Sequence, residues 1–219
     1  MLGDGWFRMR GWDYFGSNKR FVGLYNADDR WLLGQLEIEY ADGTMETIVT
    51  DGSWECNSDG PLRRTSMYDG VFCDARRELT GWDKPGLMNK QGWTNVVEGT
   101  PVNVPVLSSQ SMPPIRKTRE LKPLLHKELR QGVYIYDFGE QLAGVCRIRV
   151  NGSVGTEVKL RFAQALKEDG SLYVANLMGS YDNQDVFILD GRGPKTFTPP
   201  FTFHGFQYVE LSGLESLSD

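Results

Sequence analysis

His126 and His204 are the only imidazoles in the 219-residue chain, so any Ser-His-Asp or Cys-His relay must be built on one of them. His126 stands in "LLHKEL", where a solvated or partly packed ring is the ordinary outcome. His204 stands in "FTFHGFQYVEL", beside a glycine and among aromatics. That is the setting of a strand edge turning into a core, where a structural hydrogen bond is expected. No GxSxG, HExxH, P-loop or EF-hand spacing occurs, and no GxGxxG opens a helix. Those enzyme classes drop out. Paired carboxylates remain, because glycoside hydrolysis needs two of them facing each other across a sugar ring. "YDGVFCDARRE" offers Asp69, Asp74 and Glu78, and "SYDNQD" offers Asp182 and Asp185. Turns and strand ends collect such residues without catalysis, so no catalytic residue is assigned. Asp182, Asn183 and Asp185 also cluster oxygens as a hard cation requires, but their spacing matches no calcium loop.

The aromatic residues of the first half are the more specific lead. All six tryptophans, Trp6, Trp12, Trp31, Trp54, Trp82 and Trp93, precede residue 110. An indole offers an apolar platform to the C–H face of a pyranose while neighbouring Asp, Asn and Arg bond its hydroxyls. Tryptophan is on average highly buried, so about four of the six are expected in or near a core. Trp6 and Trp31, beside Asp4 and Asp28, are the platform candidates. Cys56, Cys73 and Cys146 are odd in number and lack CxxC spacing, which predicts three free thiols.

The elements that must carry these residues are strands. Period-2 alternation and short β-branched or aromatic runs recur between turn signals, while helical periodicity is scarce. "WLLGQLEIEY", "ADG" and "TMETIVT" read as a hairpin whose Asp42-Gly43 supplies the positive φ angles of the turn. "RIRVNGSVGTEVKLRF" reads as strand, turn, strand, so Asn151-Gly152-Ser153 is taken as a turn rather than a glycosylation acceptor. "GVYIYDF", "GVCRIRV", "DVFILDG" and "FQYVELSG" add further strands. Arg119 to Leu129 is the one stretch with partial helical character, and Pro123 limits it to a short turn. Val106 to Pro123 strings serine, proline and basic residues together and reads as a connector.

Charge divides the chain at about the same place. Residues 1–110 carry 11 basic and 16 acidic side chains, net −5, and residues 111–219 carry 13 of each. With 40% apolar residues the length suffices for packed cores. Basic residues are scattered rather than banked, which argues against nucleic acid or an anionic membrane as partner. No run approaches the span of a bilayer, and no charged-then-apolar leader opens the chain. As given, it reads as soluble. The expected architecture is all-β: two consecutive antiparallel β-sandwich, jelly-roll-like domains, 1–110 and 111–219.

Longer motifs carry a resemblance. "LGDGWFRMRGW", "LGQLEIEYADGT", "TDGSWE", "GPLRRTSMYDGVFCDAR" and "GWDKPGLMNKQGW" resemble the N-terminal domain of bacterial α-L-rhamnosidases, glycoside hydrolase family 78. "YDFGEQLAGVCRIRVNGSVGTEVKLRFAQALKEDGSLY" and "FTPPFTFHGFQYVELSG" resemble the concanavalin-like β-sandwich that follows it. In that family hydrolysis belongs to an (α/α)6 barrel after the matched region, and its acidic "RDER…GW" motif is absent from this chain. The resemblance therefore implies a non-catalytic portion of such an enzyme, whose partner is the missing barrel. It also implies that the first domain lacks its N-terminal strands, as in a fragment, a truncated gene or a stand-alone module.

Some family members use such a sandwich as a rhamnose-binding module aided by calcium. On this resemblance the carbohydrate-binding candidates are Asp4, Trp6, Trp31, Asn57 and Pro61, with calcium as the implied cofactor. The sequence departs from the family pattern at Glu140-Gln141, where Gln-Asn is usual, at Gln164 in place of Glu, and at Phe187 in place of Tyr. The alternative reading is a free-standing, lectin-like carbohydrate-binding module. Uncovered sheet edges add a homodimer as an expected association.

Overall fold

The structure is a computed structural model that describes residues 31–66, 70–86, 91–99, 106–176 and 183–214. It is nearly all β. The strands are β1 (Gln35–Glu39), β2 (Met45–Val49), β3 (Glu55–Cys56), β4 (Leu62–Ser66), β5 (Gly70–Asp74), β6 (Thr94–Asn95), β7 (Leu125–Arg130) and β8 (Val133–Gly144). They continue as β9 (Ile148–Val150), β10 (Glu157–Ala163), β11 (Ala165–Leu166), β12 (Leu172–Tyr173), β13 (Gln184–Ile188), β14 (Lys195–Phe197) and β15 (His204–Ser212). The one helical element among the described residues is a single 3-10 turn, Ala75–Arg77. The short helical turn expected within 119–129 is instead the start of β7, because pairing with β8 supplies the backbone partners that a Pro123-broken helix would lack. Residues 106–123 carry no strand.

The chain forms two compact units. One gathers the described residues within Gly60–Thr80 and Leu121–Asp219, the other those within Asp29–Asp59 and Gly81–Glu120. Packing thus cuts the chain at other places than composition does, since β4 and β5 belong to a sheet otherwise built from the second half. That sheet has seven strands in the order β4-β5-β13-β10-β15-β8-β7. Its pairings are antiparallel except for β5 with β13, which run parallel with Val186 opposite Phe72 and Ile188 opposite Asp74. A parallel pair needs a long crossover rather than a hairpin, and here more than a hundred residues separate the two strands.

Alternation builds the core of this unit. Val158, Leu160 and Phe162 of β10 point one way and are almost wholly buried, as period 2 requires. They join Val71, Phe187, Phe197, Phe206, Val209 and Leu211 in one apolar cluster. Phe187 stacks on Phe197 with ring centroids 4.5 Å apart, so the missing tyrosine hydroxyl at 187 leaves no polar group to satisfy there. A smaller cluster of Ile135, Ala163 and Leu172 is packed against by Leu166 and Val174.

Two turn readings change. In the β1–β2 hairpin only Gly43 takes a positive φ, +82°, while Asp42 accepts from the Thr44 amide with its carboxylate. The Gly43 and Tyr40 amides bond the Tyr40 and Thr44 carbonyls, the pattern of a three-residue loop ending in a left-handed residue. The 148–163 stretch is strand, turn, strand, but not a hairpin. β9 pairs with β14, and β10 with β13 and β15. The positive φ sits at Gly155, whose amide bonds the Leu189 carbonyl.

Candidate functional site

The unit formed around β1, β2, β3 and β6 holds the four described tryptophans. Trp31 is 57% exposed, Trp54 41% and Trp82 45%, while Trp93 is half-buried. At most three of the six can then be core residues, fewer than the four expected. The reason is that this unit consists of two two-stranded sheets, and the described apolar clusters all lie in the other unit.

Trp31 lies directly over Gly99, where an added Cβ would fall inside the indole. The neighbouring Glu98 accepts from the Gly52 amide, and Asn95 Nδ2 donates to the Gly52 carbonyl at 3.1 Å. These bonds fix the turn Asp51 to Trp54, which closes through the Trp54 amide on the Asp51 carbonyl. The Trp54 indole is held by Nε1 donating to the Val49 carbonyl at 3.0 Å. Asp51 accepts from the Ser53 hydroxyl and amide, which hold its carboxyl below the usual range. The outcome is two solvent-facing indoles, that of Trp54 tethered and with an ionised carboxylate in its own turn, groups suited to stacking on a sugar and bonding its hydroxyls.

The other candidates fall in different places. Asn57 is half-buried and ties its own loop to a distant segment: its Oδ1 accepts from the Asp59 amide at 2.7 Å and its Nδ2 donates to the Gln91 carbonyl. Pro61 belongs to the other unit and accepts from the Asp74 amide at 2.8 Å. Asp4 and Trp6 lie outside the described residues, as do Asp28, Asp69 and Asp182.

The titratable groups of the seven-stranded unit are engaged in structure. Asp74 is buried, accepts from the Arg76 amide, and takes Nε and Nη2 of Arg76 at 2.8 Å each, with Arg77 at 3.8 Å. The Arg76 bond above all holds its carboxyl below the usual range. Lys195 and Arg192 do the same for Asp190, at 2.7 and 3.0 Å. Glu210 is buried against Arg161 at 3.3 Å across the β10–β15 pair.

His204 is 2% exposed. Asn183, at a left-handed φ of +42° that asparagine tolerates, donates Nδ2 to the Phe162 carbonyl at 2.8 Å. Its Oδ1 is therefore left to accept, and His204 Nδ1 donates to it at 2.8 Å. His204 Nε2 lies within hydrogen-bond distance of Asp185 Oδ1 at 3.1 Å, and the ring stacks on Phe162 at 3.9 Å. Asp185 Oδ1 also accepts from the Val71 amide at 3.0 Å. The histidine is a structural bond, as its aromatic setting predicts. Of the three residues proposed for a cation, Asn183 and Asp185 each turn Oδ1 to the imidazole, while Asp182 lies outside the described residues.

The three cysteines are free: Cys56 exposed, Cys73 half-buried, Cys146 buried. Burial first, then the charges of Glu78 and Asp74, pushes the Cys73 thiol up to about 12, and burial with Asp185 does the same for Cys146. Neither is a thiolate nucleophile at neutral pH. Among the described residues no group of three or more His, Cys, Asp or Glu is arranged to hold a metal ion, and no helix is long and apolar enough to cross a membrane.

Comparison with known proteins locates this scaffold. Residues 1–119 match the α-L-rhamnosidase N-terminal domain, and residues 127–218 the bacterial α-L-rhamnosidase concanavalin-like domain. An α-L-rhamnosidase of Streptomyces avermitilis is 39% identical over 205 residues, 93% of this chain and 19% of the relative. One from an Alteromonas species is 36% identical over 183 residues, covering 84% and 20%. The crystal structure of the Streptomyces avermitilis α-L-rhamnosidase complexed with L-rhamnose superposes with a TM-score of 0.78 at 40% identity. It covers 85% of this chain and 18% of that one. The α-L-rhamnosidase structure from Dictyoglomus thermophilum gives 0.77 at 34% identity, covering 85% and 21%. The chain thus spans about a fifth of the length of these relatives. With an N-terminal and a concanavalin-like domain matched in series, the chain belongs to the α-L-rhamnosidase family, of which it carries these two β domains.

Proposed function

We propose that this chain is the supporting β portion of an α-L-rhamnosidase-type hydrolase. Its regions 1–110 and 111–219 hold and orient an (α/α)6 catalytic barrel that cleaves terminal α-L-rhamnosides. The observation that carries this is the serial match of both domain models in a chain spanning a fifth of its relatives. Local chemistry supports it, since Asp74 and Asp185 are consumed by Arg76 and by His204 with Val71. The purified chain is expected to hydrolyse no aryl α-L-rhamnoside. Turnover that disappears in Asp74→Asn would overturn this reading.

The same chain contacts carbohydrate through Trp31, with Asp4, Trp6, Asn57 and Pro61 as the further contacts that the family resemblance implies. The exposed indoles of Trp31, over Gly99, and of Trp54, tethered to the Val49 carbonyl, favour this second limb. Calcium enters through the resemblance alone, so titration calorimetry with L-rhamnose is run with calcium and with a chelator. Trp31→Ala should weaken binding about tenfold, the equivalent of about 1.4 kcal/mol, in the range of one aromatic contact. Silence of the wild-type chain at millimolar rhamnose removes the carbohydrate role and leaves the supporting one.

A further inference from the structure

β4 and β5 lie within the region matched by the N-terminal domain, yet they complete a sheet whose other five strands lie within or just before the concanavalin-like match. We infer that this hairpin is a donated element. The sheet of the second half is completed only by inserting it, so the segment 60–80 from one matched region and the strands of the other are joined non-covalently as one cooperative unit.

Four independent features point to it. Val71 is fully buried and sits in the main core with Ala75, backed by Leu62 and Cys73. β5 adds in parallel to β13 over three residue pairs. The Val71 amide ends on Asp185 Oδ1, the oxygen that also meets His204, so the hairpin reaches the polar knot linking β13, β10 and β15. On β4, the buried Thr65 hydroxyl donates to the Pro200 carbonyl at 3.3 Å, and the Ser66 carbonyl accepts from Thr202 Oγ1 at 3.1 Å. Without the hairpin, β13 would present an unpaired edge, and buried Asp185 would lose one of its donors. Unpaired buried polar groups of this kind are avoided in folded proteins.

Close approach is built into Gly70. At φ +82° its backbone lies so near β13 that a Cβ would stand 2.7 Å from Asp185 Oδ1 and closer still to the Gln184 carbonyl oxygen. Gly193, in the same unit at φ +94°, has nothing within 4 Å of its Cβ position. The pair separates docking from backbone strain, since alanine meets the same left-handed penalty at both sites.

The test starts from the whole folded chain with a site-specific protease sequence inserted between Ser111 and Met112, in the exposed strandless stretch. After complete cutting, both fragments should co-elute at the mass of the intact chain and part only in concentrated guanidinium. Gly70→Ala should weaken their association at least tenfold while Gly193→Ala leaves it unchanged. Separation of the cut fragments in native buffer, or equal weakening by both alanines, overturns the inference. Hydrogen exchange on the uncut chain is the second measurement, independent of any variant. The Val71 amide should open only with those of Phe162 and Val209, and opening of Val71 while those two stay protected would equally refute it.

Discussion

His204 shows how much one side chain can organise. Its two ring nitrogens engage side chains 21 and 19 residues upstream, and its face covers Phe162. Replacing it with phenylalanine keeps the stacked ring but removes both polar contacts. Leaving buried acceptors unmet costs about 1–3 kcal/mol, so His204→Phe should fold and unfold at correspondingly lower denaturant, with an unchanged slope in urea. A variant as stable as the parent would mean that the ring face, not its nitrogens, is what matters. The sequence predicted a structural role here from neighbouring aromatics alone. It could not name the partners, because Asn183 and Asp185 arrive through sheet pairing rather than through spacing along the chain.

At the scale of elements, Asp74 joins the end of β5 to the 3-10 turn that follows, with its carboxylate serving as cap and as partner to Arg76. Its proton affinity is lowered in the folded state. The interaction is therefore present above the unfolded carboxylate range, near pH 3.9, and is lost as pH falls through the folded value. Asp190, also lowered, adds to the same limb. Asp74→Asn should flatten the loss of stability on acidification, measured as unfolding midpoint against pH from neutrality down. A parallel, merely displaced acid limb would contradict this. Elements with local logic were legible: the β1–β2 hairpin, the first half of β8 and the closing strand β15 all follow from alternation and turn residues. The pairing of β9 with β14, and the parallel entry of β5 beside β13, were not. Both join segments far apart in sequence, and period 2 reports a strand's faces, never its neighbour.

For the whole molecule, the contrast is between one unit with a dense apolar core and another that leaves Trp31, Leu36, Met45 and Trp82 exposed. Tryptophan burial was misjudged in the sequence for that reason: the average tendency of the residue presumes a core to enter. Thiol accessibility reads the same contrast from outside. At pH 8 a disulfide reagent should titrate Cys56 rapidly, with Cys73 and Cys146 reacting only after denaturation, given their burial and raised thiol values. Prompt reaction of three equivalents without denaturant would show that the seven-stranded core opens readily.

Interleaving of the compact units bears on how members of this family can be recombined. A chimera that exchanges residues 121–219 between relatives but keeps the host's 60–80 mismatches a strand seam lined by Gly70, Val71 and Asp185. Grafts that move both segments together respect the seam, and sequence changes at position 70 should be tolerated only alongside compensating shifts in the backbone near 184.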